Sequence, residues 1–185
     1  MLNLPNILSL LRIALIPVLI GIFFLPYESA PLWATVVFAV ASLTDWLDGY
    51  LARKWDQSSP FGAFIDPVAD KLLVAVALVL VLYKTPEPYI LIPVIIIIGR
   101  EITVSALREW MAELGQRNAV KVSYVGKLKT AFQMLAIGCL IFNAPLFGIP
   151  VFKVGIALLY VAAGLTLSSM ISYLRAALPM LLSKG

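Results

Sequence analysis

The stretch from Thr44 to Lys71, TDWLDGYLARKWDQSSPFGAFIDPVADK, holds Asp45, Asp48, Asp66 and Asp70, four of the ten acidic residues in the chain. Apolar runs long enough to span a bilayer flank it on both sides. Carboxylates at membrane depth are costly, and they normally face a cavity, a partner or a metal. The cations of the stretch, Arg53, Lys54 and Lys71, are too few to keep these acids from repelling one another. One or two divalent metal ions are the natural remedy. Asp45 and Asp48 are three apart and Asp66 and Asp70 four apart, so each pair shares one helix face. Asp66-Pro67 suits a helix start, with Pro67 at the first position, where its missing N–H costs nothing. Two helices, each presenting two carboxylates, can converge on hard cations that take oxygen ligands. Gly49 and Gly62 leave room for close backbone or ligand approach. A helix cap or a solvated interfacial charge explains any one of these aspartates, but is a poor explanation of all four together.

The chain has 185 residues, 62% of them hydrophobic, and a mean hydropathy of +0.98. Soluble domains average about 45–50% apolar residues, so this is the composition of an integral membrane protein. The first apolar run is long and has no small-residue cleavage site, which predicts a retained transmembrane helix rather than a cleaved signal peptide. Cys139 is the only cysteine and sits in an apolar run, so it reads as a core or lipid-facing thiol, with no disulfide possible within one chain. Histidine is absent, which removes the usual general base. Acid–base work falls to Asp, Glu, Lys or Tyr. The net charge is +4, but the basic residues are scattered among apolar spans rather than striped along a soluble face, which argues against nucleic-acid binding.

The apolar pattern predicts six transmembrane helices, over residues 4–24, 32–53, 66–83, 89–108, 122–142 and 151–174. Residues 54–65 read as a polar connection, and 109–121 as a helix running past the membrane and then a loop over 115–118. Arg12, inside the first span, either snorkels to the interface or points at an anionic ligand, the second being the stronger reading. Trp46, Tyr50 and Trp55 fit an interfacial aromatic belt. With both termini cytoplasmic, twelve cations fall inside and only Lys84 and Lys153 outside. That asymmetry orients the chain and puts both aspartate pairs on the cytoplasmic side. Gly155, Ala162, Ala163 and Gly164 are small enough to let helices pack closely, within or between chains.

The pattern Asp45-x-x-Asp48-Gly49-x-x-Ala52-Arg53, eight residues, Gly62-x-x-x-Asp66-x-x-x-Asp70 resembles the full signature of the CDP-alcohol phosphotransferases, with every fixed position filled. The resemblance implies an all-α integral membrane protein, a single domain over residues 1–185 with six transmembrane helices and a polar active-site cavity open to the cytoplasm. It implies an enzyme that displaces CMP from a CDP-linked lipid or alcohol. Asp45, Asp48, Asp66 and Asp70 would hold two ions of Mg²⁺ or Mn²⁺, and Asp70 would also serve as the base for the attacking hydroxyl. Gly49, Arg53 and Ser59 would meet the CDP group. Asn6 and Arg12 resemble the first-helix motif beside the same pocket; Ser9 stands where that motif often has threonine and keeps the hydroxyl.

The likeness extends to YLARKW, FGAFIDPVADK, GRE, SALREWMAELG and GKLKT. These segments resemble the bacterial branch of the family that joins CDP-diacylglycerol to sn-glycerol 3-phosphate and releases CMP. That branch implies an inner-membrane homodimer and direct attack of the glycerol hydroxyl on the phosphatidyl phosphorus. Arg100, Arg108, Arg117, Lys121, Lys127 and Lys129 form a cationic group that suits an anionic acceptor. Arg117 and Lys121 read better as ordinary cytoplasmic charge, and Lys127 and Lys129, which open a span behind Gly126, as the better phosphate ligands. Arg100 and Glu101 also read as a buried pair that positions the fourth helix. The signature alone leaves inositol phosphate, serine or phosphatidylglycerol open as acceptors. A small transporter is disfavoured because the acids lie at one membrane face rather than the midplane, and a purely structural subunit would make the signature a coincidence.

Overall fold

The computed structural model describes residues 4–55, 60–115 and 124–182. Six helices follow one another: α1 Leu4–Phe23, α2 Ala30–Trp55, α3 Pro60–Lys84, α4 Pro88–Glu113, α5 Tyr124–Phe142 and α6 Val151–Leu182. The described residues form no sheet; one isolated bridge, Leu146 to Ile149, closes the turn between α5 and α6. An all-helical chain is what hydrocarbon demands, since a helix satisfies its backbone hydrogen bonds within itself. Among the described residues three helices are long and apolar enough to cross a bilayer, with windows at Asn6–Phe23, Pro88–Glu113 and Val151–Arg175. The apolar stretches Ala30–Asp45 of α2 and Leu128–Phe142 of α5 are shorter. In α2 the stretch is cut at the first predicted metal ligand, and in α5 it begins one residue before Lys129. Large apolar side chains such as Leu11, Val18, Ile92, Ile95 and Ile102 are exposed, a surface suited to lipid.

Two boundaries differ from the pattern reading. The helix expected to begin at Asp66 begins at Pro60, so only 56–59 separate it from α2, and these residues lie outside the described part. Pro60, not Pro67, takes the start, where a missing N–H is harmless. Pro67 lies within α3 and withdraws a single bond from the helix. At the other end of the chain α6 runs to Leu182 rather than stopping near 174. The expected extension of α4 is present: it reaches Glu113 and stops at Gly115, whose φ of 74° suits glycine. Of the loop expected over 115–118, only Gly115 is described.

The chain divides into two compact units. The first comprises Met1–Thr85 and Ile137–Gly155. Here α1 packs on both α2 and α3. Its buried face is Asn6, Ser9, Arg12, Ile16 and Leu19, spaced as one helical stripe. The facing stripe of α2 runs Ala30, Ala34, Phe38, Ala41, Thr44 and Asp48, with small residues that let the helices approach closely. Each stripe is therefore apolar at one end and polar at the other: Ile16 and Leu19 against Asn6, Ser9 and Arg12 on α1, and Ala30 to Ala41 against Thr44 and Asp48 on α2. The apolar end of the unit is closed by rings: Phe24 meets Tyr83 edge-on at 5.3 Å, and Lys84 Nζ lies 5.6 Å above Phe23. From Arg12 to Phe23 is about 16 Å along α1, half a bilayer core.

The second unit comprises Pro86–Ala136 and Ile156–Gly185. Val104 and Met111 of α4 and Tyr173 of α6 form its core cluster, flanked by Leu107, Trp110, Leu114 and Met170.

Gly155 is a tightly packed position in the first unit. A Cβ there would lie 3.0 Å from both Cys139 Cβ and Leu140 Cγ, whereas Gly164 faces open space. Gly155→Leu should destabilise the protein by about 1–3 kcal/mol through overpacking. Gly164→Ala should be neutral or slightly stabilising. Thermal unfolding of both variants in detergent checks the contrast.

Candidate active site

The polar ends of α1, α2 and α3 meet at the guanidinium of Arg12. Arg12 is fully buried, and its Nη1 lies 3.3 Å from Asp45 Oδ1 while also donating to Asp70 Oδ1. Its Nη2 donates to Asp48 Oδ2. One turn earlier on α1, Ser9 Oγ donates to Asp66 Oδ1 and stands 3.4 Å from Asp48 Oδ2. All four aspartates are thus gathered by two side chains of α1. The helix register explains this: Ser9 and Arg12 are three apart, and each aspartate pair lies on one face of its helix. Asp48 forms the buried floor, with its side chain 6% exposed, and Asp45 and Asp70 are open at 34% and 41%. Asn6, a turn further out on α1, is also buried. Gly62 and the backbone of Gly49 lie on α3 and α2 beside these acids.

Among the described side chains one cation, Arg12, is paired in this group of four carboxylates, and every acidic ligand atom is an oxygen. Such a set matches the preference of Mg²⁺ or Mn²⁺ for hard oxygen donors. In the present arrangement no three acidic or thiol side chains among the described residues surround a common point as metal ligands would. Arg12 stands among them instead, and its Nε is buried without a hydrogen-bond partner among the described residues.

A second polar group lies in the other unit, on α4, α5 and α6. Glu101 Oε1 accepts from Lys129 Nζ and lies 3.2 Å from Arg100 Nη1. Arg100 Nη2 is 3.4 Å from Ser169 Oγ, and its guanidinium carbon is 5.7 Å from the centre of the Tyr173 ring. Lys129 is buried, as are Gln133 one turn along α5 and Thr166 on α6. Arg100 Nε, Gln133 Oε1 and Thr166 Oγ1 have no hydrogen-bond partner among the described residues.

A family model described as CDP-alcohol phosphatidyltransferase matches residues 2–179. The chain belongs to the CDP-alcohol phosphatidyltransferase family. Among its relatives, a CDP-diacylglycerol–glycerol-3-phosphate 3-phosphatidyltransferase of Pseudomonas fluorescens is 54% identical over 99% of this chain and 94% of its own. Proteins of the same name from Salmonella choleraesuis (strain SC-B67) and Shigella flexneri are each 51% identical over 95% of this chain and 94% of theirs.

Against that family's signature, the structure brings together the four aspartates, Ser9 and Arg12. It places Arg12 among the carboxylates, paired with three of them. The side chain of Arg53 and the whole of Ser59 lie outside what is described. Of the expected acceptor ligands, Arg100 and Lys129 come together through Glu101; Arg108 is exposed on α4, and the side chain of Lys127 is not described. The expected Arg100–Glu101 pair is present, but the bond from Lys129 was not anticipated, because 28 residues separate it from Glu101. Gln133 and Thr166 were missed because a single polar residue in an apolar run carries no sequence signal of its own.

If Arg12 is the counter-charge that holds this cluster, Arg12→Met should cost about 3–5 kcal/mol, the penalty for leaving buried charge unpaired. Asp48→Asn added to that variant should recover part of the loss. A double-mutant cycle from chemical denaturation in detergent measures the coupling, and strict additivity would disprove the pairing.

Proposed function

We propose that this chain transfers the phosphatidyl group of CDP-diacylglycerol to sn-glycerol 3-phosphate, forming phosphatidylglycerophosphate and CMP. The observation that carries this reading is that two neighbouring side chains of α1, Arg12 and Ser9, between them hold Asp45, Asp48, Asp66 and Asp70. It occurs in a chain about half identical, over nearly its whole length, to transferases of that name.

Asp45, Asp48, Asp66 and Asp70 would hold the metal, Mg²⁺ or Mn²⁺ and two ions by family resemblance. The ions would offset the charge of the diphosphate and of the departing CMP. Arg12 and Ser9 hold the four carboxylates, and Arg12 and Asn6 line the nucleotide-lipid side of the same pocket by family resemblance. Gly49 admits the nucleotide close to the backbone of α2, and Arg53 and Ser59 are positioned in sequence to meet its phosphates. Asp70, the most open of the three acids paired with Arg12, takes the proton from the acceptor hydroxyl as its oxygen attacks the phosphatidyl phosphorus. The phosphate of the acceptor falls to Arg100 and Lys129, with Arg108 and Lys127 on the same two helices.

A single family model over residues 2–179 supports one catalytic domain. The twelve-to-two distribution of cations supports a bacterial inner-membrane enzyme with both termini and the active site cytoplasmic. We extend the reading to a homodimer by family resemblance.

The test is CMP release by the purified protein with CDP-diacylglycerol and Mg²⁺. Release with sn-glycerol 3-phosphate, but not with serine, inositol phosphate or phosphatidylglycerol, and its loss on chelation, is the expected result. Release with another acceptor only would overturn the acceptor and leave the donor site standing. Asp70→Asn should lower turnover about 10²–10⁴-fold, the usual worth of a general base, with the thermal midpoint preserved.

A further inference from the structure

Buried Lys129 and largely enclosed Arg100 share one oxygen. Lys129 Nζ donates to Glu101 Oε1, and Arg100 Nη1 lies 3.2 Å from the same atom. Lys129 is 3% exposed and the Arg100 side chain 10%. Cations so placed cannot remain without a counter-charge, because their hydration has been removed. Glu101 supplies it. A carboxylate oxygen held between an ammonium and a guanidinium also occupies the seat that a phosphate oxygen would take. Arg100 Nε, buried and unpartnered among the described residues, is a donor this carboxylate leaves unused. Nε and an adjacent Nη make the planar fork that meets phosphate with two parallel bonds.

A phosphate monoester carries more than one negative charge and three terminal oxygens. If it joined Glu101 on the same two cations, negative charge would exceed positive in a desolvated site, and the anions would repel one another. One of them has to leave. Glu101, at 22% exposed, is the most open of the three groups.

We propose that Glu101 is a displaceable internal counter-ion. It holds Arg100 and Lys129 in place while the seat is empty, and it yields that seat to the phosphate of the acceptor. Glu101 thereby sets acceptor affinity without touching the reacting atoms, as a positioning residue. The proposal rests on the reading of Arg100 and Lys129 as acceptor-phosphate ligands.

A displaceable counter-ion and an ordinary structural ion pair differ in sign. Removing the first weakens the empty protein and strengthens anion binding; removing the second weakens both. The experiment uses the full chain in detergent with CDP-diacylglycerol and Mg²⁺, comparing wild type, Glu101→Gln, Glu101→Asp, Lys129→Met and the exposed control Glu109→Gln. The readouts are KM for sn-glycerol 3-phosphate, kcat, inhibition by inorganic phosphate, and the thermal midpoint without substrate. In Glu101→Gln, KM and the inhibition constant for phosphate should both fall, roughly five- to tenfold. kcat should hold within about twofold, since the residue leaves the seat before chemistry. The substrate-free midpoint should fall. Glu101→Asp, whose shorter carboxylate reaches the two cations less well, should move each quantity the same way by less, and it decides the matter if the glutamine variant does not fold.

A KM that rises or stays unchanged in both variants overturns the proposal, as does an unchanged midpoint. An equal fall of KM in Glu109→Gln would also overturn it, by reducing the effect to a general field. Lys129→Met separates the two readings. A raised KM there confirms the seat, so that a wrong sign at Glu101 refutes only the counter-ion; an unchanged KM removes the seat itself, and the proposal with it.

Discussion

A single buried guanidinium ties three helices of this chain together. Arg12 lies on a helix otherwise apolar enough to cross a membrane, and it has no exposure through which to reach water. Its charge is tolerable at that depth only if anions meet it, and the anions come from α2 and α3. Those two helices touch each other far less than each touches α1. The position of the acids therefore depends on α1, and the buried stripe of α1 is arranged to deliver it: apolar from Ile16 onward, polar at Asn6, Ser9 and Arg12. A guanidinium suits the task better than an ammonium, because its planar fork can address two carboxylates from different helices at once.

Much of this arrangement was legible in the sequence because it is written in short-range spacing. The three- and four-residue intervals between aspartates fix a shared face whatever the tertiary structure, and the density of acid in an apolar chain marks the site. Arg12 stood out for the same reason, as a charge in an apolar run, but not its partners, which lie 33 to 58 residues away and follow from packing alone. Helix ends were less legible. Asp66-Pro67 looked like a start because proline is favoured there, yet Pro60 offered the same advantage seven residues earlier, and a helix tolerates the one lost bond at Pro67. In the second unit the cations were visible but the carboxylate they share was not assigned to Lys129, since nothing local in GREITV or GKLKT says that α4 and α5 meet there.

The two polar groups have opposite surpluses. Among the described side chains, four carboxylates are gathered with one cation around Arg12, and two cations face one carboxylate around Glu101. This division fits a reaction between two anionic substrates that must be recognised differently. A diphosphate bound through metal needs carboxylates on the protein side, whereas a phosphate monoester bound directly needs cations. One protein surface of uniform sign could not serve both.

Each surplus nevertheless contains one charge of the opposite sign, in the position that a ligand of the same sign would take. For a soluble enzyme this would be unnecessary, because water screens an empty charged site. Around buried groups such as Arg12, Asp48 and Lys129 that screening is weak, and an empty cluster of like charges would be driven apart or neutralised. An internal counter-ion is then a condition of the fold rather than an accessory to catalysis: it keeps like charges assembled between turnovers. Its cost is competition with the ligand, so the useful counter-ion is a weak one. A single guanidinium opposed to four carboxylates, and a single half-open carboxylate opposed to two buried cations, both meet that condition. Each stabilises the empty site while leaving half or more of its charge unbalanced, and that residual imbalance is what remains available to attract the substrate.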